Sequence, residues 1–475
     1  MSNVLLPKKG YKKKLHTLNP KKKVKSVEVH VTKRRTERRP ADVKSIERGV
    51  RELLAQKVSG TLLGIWLLIP EHLRLGSWDL LEAWAGDNCS GIKPRLALQM
   101  VHEAALCTTG IRQTRSLCHQ GFELANGLPY IATDEEVHYL LNEHRIDEAK
   151  QLQIKLALLR KCLGHYKGNI LAFDPHRIRT YSHRIMPKKR SRPNERSYQL
   201  LQTFFCIDVQ TGQPLGFTIG SSGKTTTRAS LELLEMMDMI LPSNNVLLLA
   251  DTEHESCRLI DHIIESDRYD ILMPAARKKA VINTIKNLEY KCRWAGYATA
   301  ETKYRHGESK HEFRLIGQRS GEKEEEYNYK PFITTGDSSS LELITEDYPE
   351  RWTIEEFFNF DGAMGWDRAA TMNLNIRYGK LSLSLIAQAA AYQLKKKLPE
   401  PYKKWTAQHL ADSILRGIDG DLRVKDDTII ATLYNVPESL NLKQNYEDLP
   451  NKLLKEGVNP KIPWLFDFKL DFRFK

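Results

Sequence analysis

The chain has 475 residues, enough for about three structural units at roughly 150 residues each, and 41% apolar with 28% charged residues describes a globular protein with a real core. No apolar run reaches the roughly 18 residues of a bilayer span, so membrane function is excluded; Leu62–Ile69 and Leu381–Leu394 read as buried helix. The start is Lys-rich without an apolar leader, which places the protein in the cytoplasm with reduced thiols, and the seven scattered cysteines offer neither a disulfide framework nor a zinc module. Cys118 beside His119 is the nearest approach to a metal-ligand pair.

Residues 1–40 hold 14 Lys or Arg against Glu28 and Glu37, whereas the whole chain is only +14, so the positive charge is concentrated in an appendage. Without apolar periodicity this arm is expected to be disordered until it meets a polyanion, and to supply salt-sensitive, sequence-blind affinity for nucleic acid. Residues 41–165 read as helices. Two short amphipathic stretches, 96–106 and 111–122, flank Cys107–Gly110 and present Arg112, Gln113, Arg115 and His119, a pattern open to two readings, a helix-turn-helix reader of DNA or an ordinary helical hairpin.

From residue 168 the pattern turns to strands: Ile170–Phe173 ending at Asp174, then a hairpin from Gln202–Val209 and Leu215–Ile219. A helix with Leu231, Leu234, Met237, Ile240 and Leu241 follows, then the apolar run Val246–Ala250 ending at Asp251, as in a strand buried on both faces. A helix near 255–265 and a strand at Ile271–Met273 complete an α/β unit over 166–275, to which 345–400 returns. Residues 276–344, with strand-like Phe313–Ile316 and Lys330–Thr334, read as an inserted β-rich subdomain. Residues 401–475 form a C-terminal segment ending in phenylalanines 466, 468, 472 and 474 and Leu470 alternating with charges, an amphipathic strand expected to join the catalytic or inserted sheet or a partner subunit.

Asp174 and Asp251 each close an apolar strand, where ligands of open α/β sheets gather, and two such carboxylates can bind a hard divalent cation; either alone could equally cap the next turn. Tyr348, Arg351 and Glu355 are spaced three and four apart, which stacks a phenol, a guanidinium and a carboxylate on one helical face. Glu355 could complete a metal site while Tyr348 and Arg351 hold phosphate. After Asp174, residues Arg177, Arg179, Arg184, Lys188, Lys189, Arg190, Arg192 and Arg196 surround Pro187 and Pro193 and read as a basic loop suited to a DNA groove. His254 could support Asp251 or face water. Gly220–Thr225 imitates a phosphate-binding loop, but Thr218 stands where that loop needs its first glycine, and the preceding strand belongs to a hairpin.

The wording Arg351-Trp-x-Ile-Glu-Glu-Phe357, the preceding Phe332-Ile-Thr-Thr335 and the apolar-Ala-Asp run at 247–251 resemble the DDE transposases of bacterial insertion sequences, in the IS-four family marked by Tyr-x2-Arg-x3-Glu-x6-Lys. The likeness covers about 168–397 and implies an RNase H-like core with Asp174, Asp251 and Glu355 as the metal-binding triad, 77 and 104 residues apart. It departs from the family at Gly362, where the motif has Lys; Arg368 could substitute. The resemblance implies two Mg²⁺ or Mn²⁺ ions about 3.5–4 Å apart that activate water, cleave the ends of a transposon and let the freed 3′-hydroxyl attack target DNA. Double-stranded DNA, both terminal inverted repeats and target, is the implied partner, with a homodimer in the complex and a nucleoid location. The alternatives are a catalytically inactive, transposase-derived DNA-binding protein and an RNase H-fold nuclease without strand transfer.

Overall fold

The computed structural model describes residues 42–86, 91–108, 120–190, 196–242, 245–368 and 371–475, and Asp42–Lys475 forms one compact unit. The basic arm, residues 111–119 of the second member of the helix pair, Cys118 and His119 among them, and Arg192 lie outside the described residues.

The N-terminal part contains helices α1 (Val43–Ala55), α2 (Ile69–Leu75), α3 (Ser77–Ala85), α4 (Ile92–Ala105), α5 (Gln120–Ala125), α6 (Asp134–Glu143) and α7 (Ile146–Cys162), with one short strand, β1 (Val58–Gly60). Helix starts follow local chemistry: the Asp42 side chain caps α1 through Ser45 N–H, and Thr133 with Glu136 forms a capping box on α6. The apolar run at 62–69 is buried, but it forms a tight 3-10 turn at Leu63–Leu68 before α2 begins. Gly64 has a packing reason: a Cβ there would fall 1.9 Å from the carbonyl oxygen of Ile414.

The central sheet begins with β2 (Ile170–Arg179), β3 (Leu200–Asp208) and β4 (Gln213–Ser221), an antiparallel set, and continues after α8 (Thr226–Ile240) with β5 (Val246–Ala250) and, after α9 (Cys257–Ser266), β6 (Tyr269–Pro274). The order across it is β4-β3-β2-β5-β6, with β2, β5 and β6 parallel, the arrangement of an RNase H-like core. β3 is buried at every position, the polar Gln202, Thr203 and Asp208 included.

Residues 276–344 contribute α10 (Lys279–Lys286) and strands β7 (Lys291–Trp294), β8 (Tyr297–Tyr304), β9 (Phe313–Ser320) and β10 (Asn328–Thr334). These strands do not stand apart as a sheet of their own. β10 pairs antiparallel with β6, so the central sheet runs on to nine strands. Open backbone groups on the β6 edge explain the continuation, since an uncovered edge is a template for another strand.

Two cores lie on opposite faces of the sheet. Leu171 and Phe173 of β2 and Val246, Leu248 and Ala250 of β5 pack with α8, α9 and α10; Ala172 and Leu249 pack on the other side, with α11 (Thr353–Asp361), α12 (Leu374–Lys396) and the N-terminal helices. The apolar run 381–394 lies in α12, and its serines are satisfied: Ser382 Oγ donates to Ala149 O and Ser384 Oγ to Met364 O.

The C-terminal residues build a second sheet of β11 (Asp419–Lys425), β12 (Thr428–Tyr434) and β13 (Lys469–Phe474), in the order β1-β11-β12-β13. The expectation that the alternating C-terminus joins the catalytic or inserted sheet does not hold: β13 pairs parallel with β12. The strand also begins later than the alternation suggests, because Phe466 and Asp467 adopt positive φ in a turn after the fully buried Trp464 and Leu465. Within β13 the reading of one apolar face stands, with Leu470 and Phe472 buried and Phe472 packed on Tyr446 at 5.7 Å. Phe472→Ala should therefore lower the unfolding free energy by about 3–5 kcal/mol in urea titration; a loss under about 1 kcal/mol would show that the strand is dispensable to the core.

Candidate active site: three carboxylates around one guanidinium

β2 and β5 are paired in parallel up to Phe173 and Ala250, so the next residues, Asp174 and Asp251, stand side by side where β5 ends. Neighbouring strands run about 4.8 Å apart. Side chains alternate between faces, and the parity that sends Phe173 and Ala250 to one core sends both aspartates to the face carrying α11. β2 itself does not stop at Asp174. It continues to Arg179, supported by β3 alone, so Arg177 and Arg179 are strand residues and not loop residues.

Glu355 lies in the first turn of α11, and the segment before it is not uniformly α-helical. Tyr348–Trp352 is a 3-10 turn with Pro349 at its start, and the α-helix begins at Thr353. A spacing of three in a 3-10 turn and of four in an α-helix both align side chains, so the change of helix type preserves the Tyr348, Arg351, Glu355 stripe. Ile354 and Phe357 anchor the helix in the core, and Phe205, the register partner of Asp174, packs on Phe357, Phe358 and Trp366 with centroids 5.3–5.6 Å apart. Tyr348 packs on Phe332 of β10 at 5.2 Å.

Arg351 joins the acids. Its Nη2 donates to Glu355 Oε1 at 2.8 Å, and Nη1 lies 3.6 Å from Asp174 Oδ1. Asp251 Oδ1 accepts from Thr252 N–H at 2.7 Å and caps the 252–254 turn. Burial pushes Asp174 up to about 7, opposed by Arg351 and reinforced by the charges of Asp251 and Glu355. Burial also raises Tyr348, with the two aspartates adding to the effect. For Arg351 burial acts downward, yet Tyr348, Glu355, Asp174 and Asp251 together raise it. Asp251 and Glu355 thus act on Asp174 in a partly buried site, with the Arg351 guanidinium as the main counter-charge and Arg177 as a lesser one.

All-oxygen, anionic donors of this kind suit a hard divalent cation. Among the described residues no three acidic, His or Cys side chains converge closely enough to hold an ion as they stand. Arg351 lies between Asp174 and Glu355, and its guanidinium supplies positive charge to both.

Of the basic residues, Arg184, Lys188 and Arg190 are exposed and Lys189 is half-buried. Arg184 Nη1 donates to Met372 O at 3.2 Å, and Lys189 exchanges backbone hydrogen bonds with Tyr198. Arg177 is held by both oxygens of Glu253 and by Gln202 Oε1, so it is an internal ion pair beside the site. Burial and the Arg177 charge lower Lys189. Glu253 and Gln202 carry no motif signal; the sole hint was an acid two residues after Asp251.

His254 is fully buried. Its Nδ1 lies 2.8 Å from Ser230 Oγ, whose own proton goes to Thr226 O, which makes Nδ1 the protonated nitrogen and leaves Nε2 without a partner. Burial lowers this imidazole to about 4. It therefore supports the 252–254 turn as a neutral ring and does not face water. Lys224 of the phosphate-loop imitation is likewise internal: Nζ donates to Glu232 Oε2 and Thr218 Oγ1, both at 2.6 Å, while Thr225 caps α8.

The raised Asp174 has a measurable consequence. Between about pH 4 and 7 the folded chain keeps a proton that the unfolded chain, with an Asp pKa near 3.9, releases. This contribution to stability is full below about pH 4 and is lost as pH rises through about 7. In metal-free solution Asp174→Asn should shrink the difference in urea stability between about pH 5 and pH 8; an unchanged difference would refute the buried environment assigned to Asp174.

Residues 165–388 match the family model described as "Transposase DDE domain". No curated protein matches the chain. Among solved structures, the cryo-EM structure of piggyBac transposase in a synaptic complex with hairpin DNA is similar at 12% identity, covering 76% of this chain and 82% of that one, with a TM-score of 0.40. A Mos1 transposase paired-end complex with the left transposon end is similar at 13% identity over 34% of this chain and 57% of that one, with a TM-score of 0.16. Among the described residues no helix is long and apolar enough to cross a membrane. Residues 165–388, which contain both strand aspartates and the Glu355 helix, are thus a transposase DDE domain.

Proposed function

We propose that Asp174, Asp251 and Glu355 are the catalytic acids, and that the chain cleaves transposon ends and joins the freed 3′-hydroxyls to target DNA. The observation that carries this is the register of β2 and β5, which sets two aspartates side by side on the face where Arg351 ties Asp174 to Glu355. The three carboxylates would hold Mg²⁺ or Mn²⁺, in a pair of ions. Such ions, when bound, polarise a phosphodiester and lower the pKa of water. The protein groups do the rest. Asp174, neutral below about 7, must lose its proton to act as a ligand, so the site is most competent above that pH. Arg351, released from its carboxylates, and Tyr348 above it are placed to hold a phosphate of the DNA strand. Arg184, Lys188, Lys189 and Arg190, with Arg192, extend this contact along the backbone. Phe205, Phe357 and Trp366 exclude water beneath the acids.

Pairing two DNA ends calls for a homodimer in the complex, and the piggyBac and Mos1 structures are of transposases assembled on DNA. The Arg351–Phe357 wording and the Tyr348, Arg351, Glu355 spacing support placement in the IS-four family of bacterial insertion sequences, which would put the protein in the cytoplasm on nucleoid DNA.

The test uses inverted repeats flanking the coding region as duplex substrates. With Mg²⁺ the wild type should nick at the repeat boundary and join the 3′ end to a second duplex, and leaving out the divalent cation should stop both. Asp251→Asn and Glu355→Gln should each reduce cleavage by at least about 10³-fold while DNA binding persists, given the size of effect expected for groups that stabilise charge in the transition state. Retained cleavage in either variant sinks the assignment. Cleavage without joining would identify a nuclease, and binding without either a catalytically inactive DNA-binding protein.

A further inference from the structure

His176 lies two residues after Asp174 on the same face of β2, and its ring packs on Phe358 at 4.8 Å. Phe358 is three residues after Glu355, one turn along α11. The imidazole therefore fills the angle between the Asp174 strand and the Glu355 helix. Its Nε2 is shut off from solvent and lies 3.2 Å from Asp367 Oδ1, a close polar contact whose direction is off that of an ideal hydrogen bond.

Asp367 reaches this place because the chain folds back after α11. The N–H groups of Gly365, Trp366 and Asp367 all point to Gly362 O, and Gly365 takes a φ of +120°. Trp366, fully buried, pins the turn against Phe205 and Phe357. A closed path results, from Asp174 along β2 to His176, across to Asp367, through the turn to Gly362 and back along α11 to Glu355.

Gly362 is the tight point of that path. A Cβ there would stand 2.4 Å and 2.5 Å from the two carboxylate oxygens of Asp367. That carboxylate is half-exposed and can swing away, so a side chain at 362 is compatible with the fold but not with Asp367 on His176. The position where the Tyr-Arg-Glu motif continues with Lys is thus committed here to a different contact.

We infer that His176 and Asp367 are positioning residues that set the separation of Asp174 and Glu355, and that Gly362 is the residue that permits their contact. The inference rests on the reading that the three acids hold a divalent cation. Groups that orient metal-holding side chains typically change metal affinity by about 10- to 100-fold when removed. Ordinary packing at the same place would change stability without that selectivity.

Mn²⁺ titrations of the full-length protein at fixed pH, read by electron paramagnetic resonance, test it. His176→Ala and Gly362→Lys should each weaken Mn²⁺ binding about tenfold, and His176→Gln, which keeps an N–H toward Asp367, should stay near wild type. The double variant His176→Ala with Gly362→Ala should bind no more weakly than the poorer of its two single variants, because both break one contact. Wild-type affinity in His176→Ala or Gly362→Lys, equal weakening in His176→Gln, or additive losses in the double variant each overturn the inference. Asp251→Asn separates the two levels: if it binds Mn²⁺ as the wild type does, the acid-site reading itself fails and takes this inference with it. If Asp251→Asn loses binding while the His176 and Gly362 variants keep it, only the positioning role fails.

Discussion

Like charge held in one place is the constraint around which this site is built. Asp174, Asp251 and Glu355 repel one another in surroundings that already penalise ionisation, and the repulsion shows in Asp174, which burial and its two neighbours hold up at about 7. Arg351 relieves it in part, through Glu355 at 2.8 Å and Asp174 at 3.6 Å. A buried charge without a partner would cost several kcal/mol. The Arg351 guanidinium offsets that repulsion, and under the proposed assignment a divalent cation would do the same. Under the proposed assignment Arg351 would serve in turn as counter-ion to the acids and as phosphate ligand, and the same atoms cannot serve both at once.

The parts of this arrangement visible in the sequence were those that strand and helix periods dictate. Val246–Ala250 is apolar at every step because it is buried on both faces, so Asp251 stood out at its end. Asp174 was legible for the same reason, and the three-and-four spacing of Tyr348, Arg351 and Glu355 survived a change from 3-10 to α-helix that no local signal announced. What stayed hidden depended on distant partners. The extension of β2 to Arg179 is imposed by β3, whose pairing runs from Leu171 to Arg179, and without it 177–179 looks like a basic loop. The capture of Arg177 by Glu253 joins residues 76 apart in sequence and has no periodic trace. β13 kept its alternation but not its destination, since alternation says which face is apolar and nothing about which strand is alongside.

Gly220–Thr225 shows how tertiary placement settles an ambiguous local pattern. Its composition is that of a phosphate cradle, but the strand before it is an arm of an antiparallel hairpin, and Lys224 folds inward to a half-buried Glu232 that also takes a bond from Thr218. Thr218 is the residue that replaced the missing glycine. The same substitution that breaks the motif thus supplies the hydroxyl that anchors the lysine, and the segment becomes a hairpin-to-helix joint.

The long gap between Asp251 and Glu355 raises the question of how a residue 104 positions away arrives within reach. The sheet answers it. The chain leaves the core at the end of β6 and adds β7 to β10 beyond that edge, yet the last of these, β10, comes back to lie directly against β6. Its register sets Phe332 opposite Pro274, and Tyr348 packs on Phe332, so the start of the Glu355 helix is referenced to the central sheet by its immediate neighbour. Whatever length the outer strands have, β10 closes the excursion where it began. The insertion can therefore vary without moving Glu355, provided that the β6 to β10 pairing and the Phe332 to Tyr348 contact are kept.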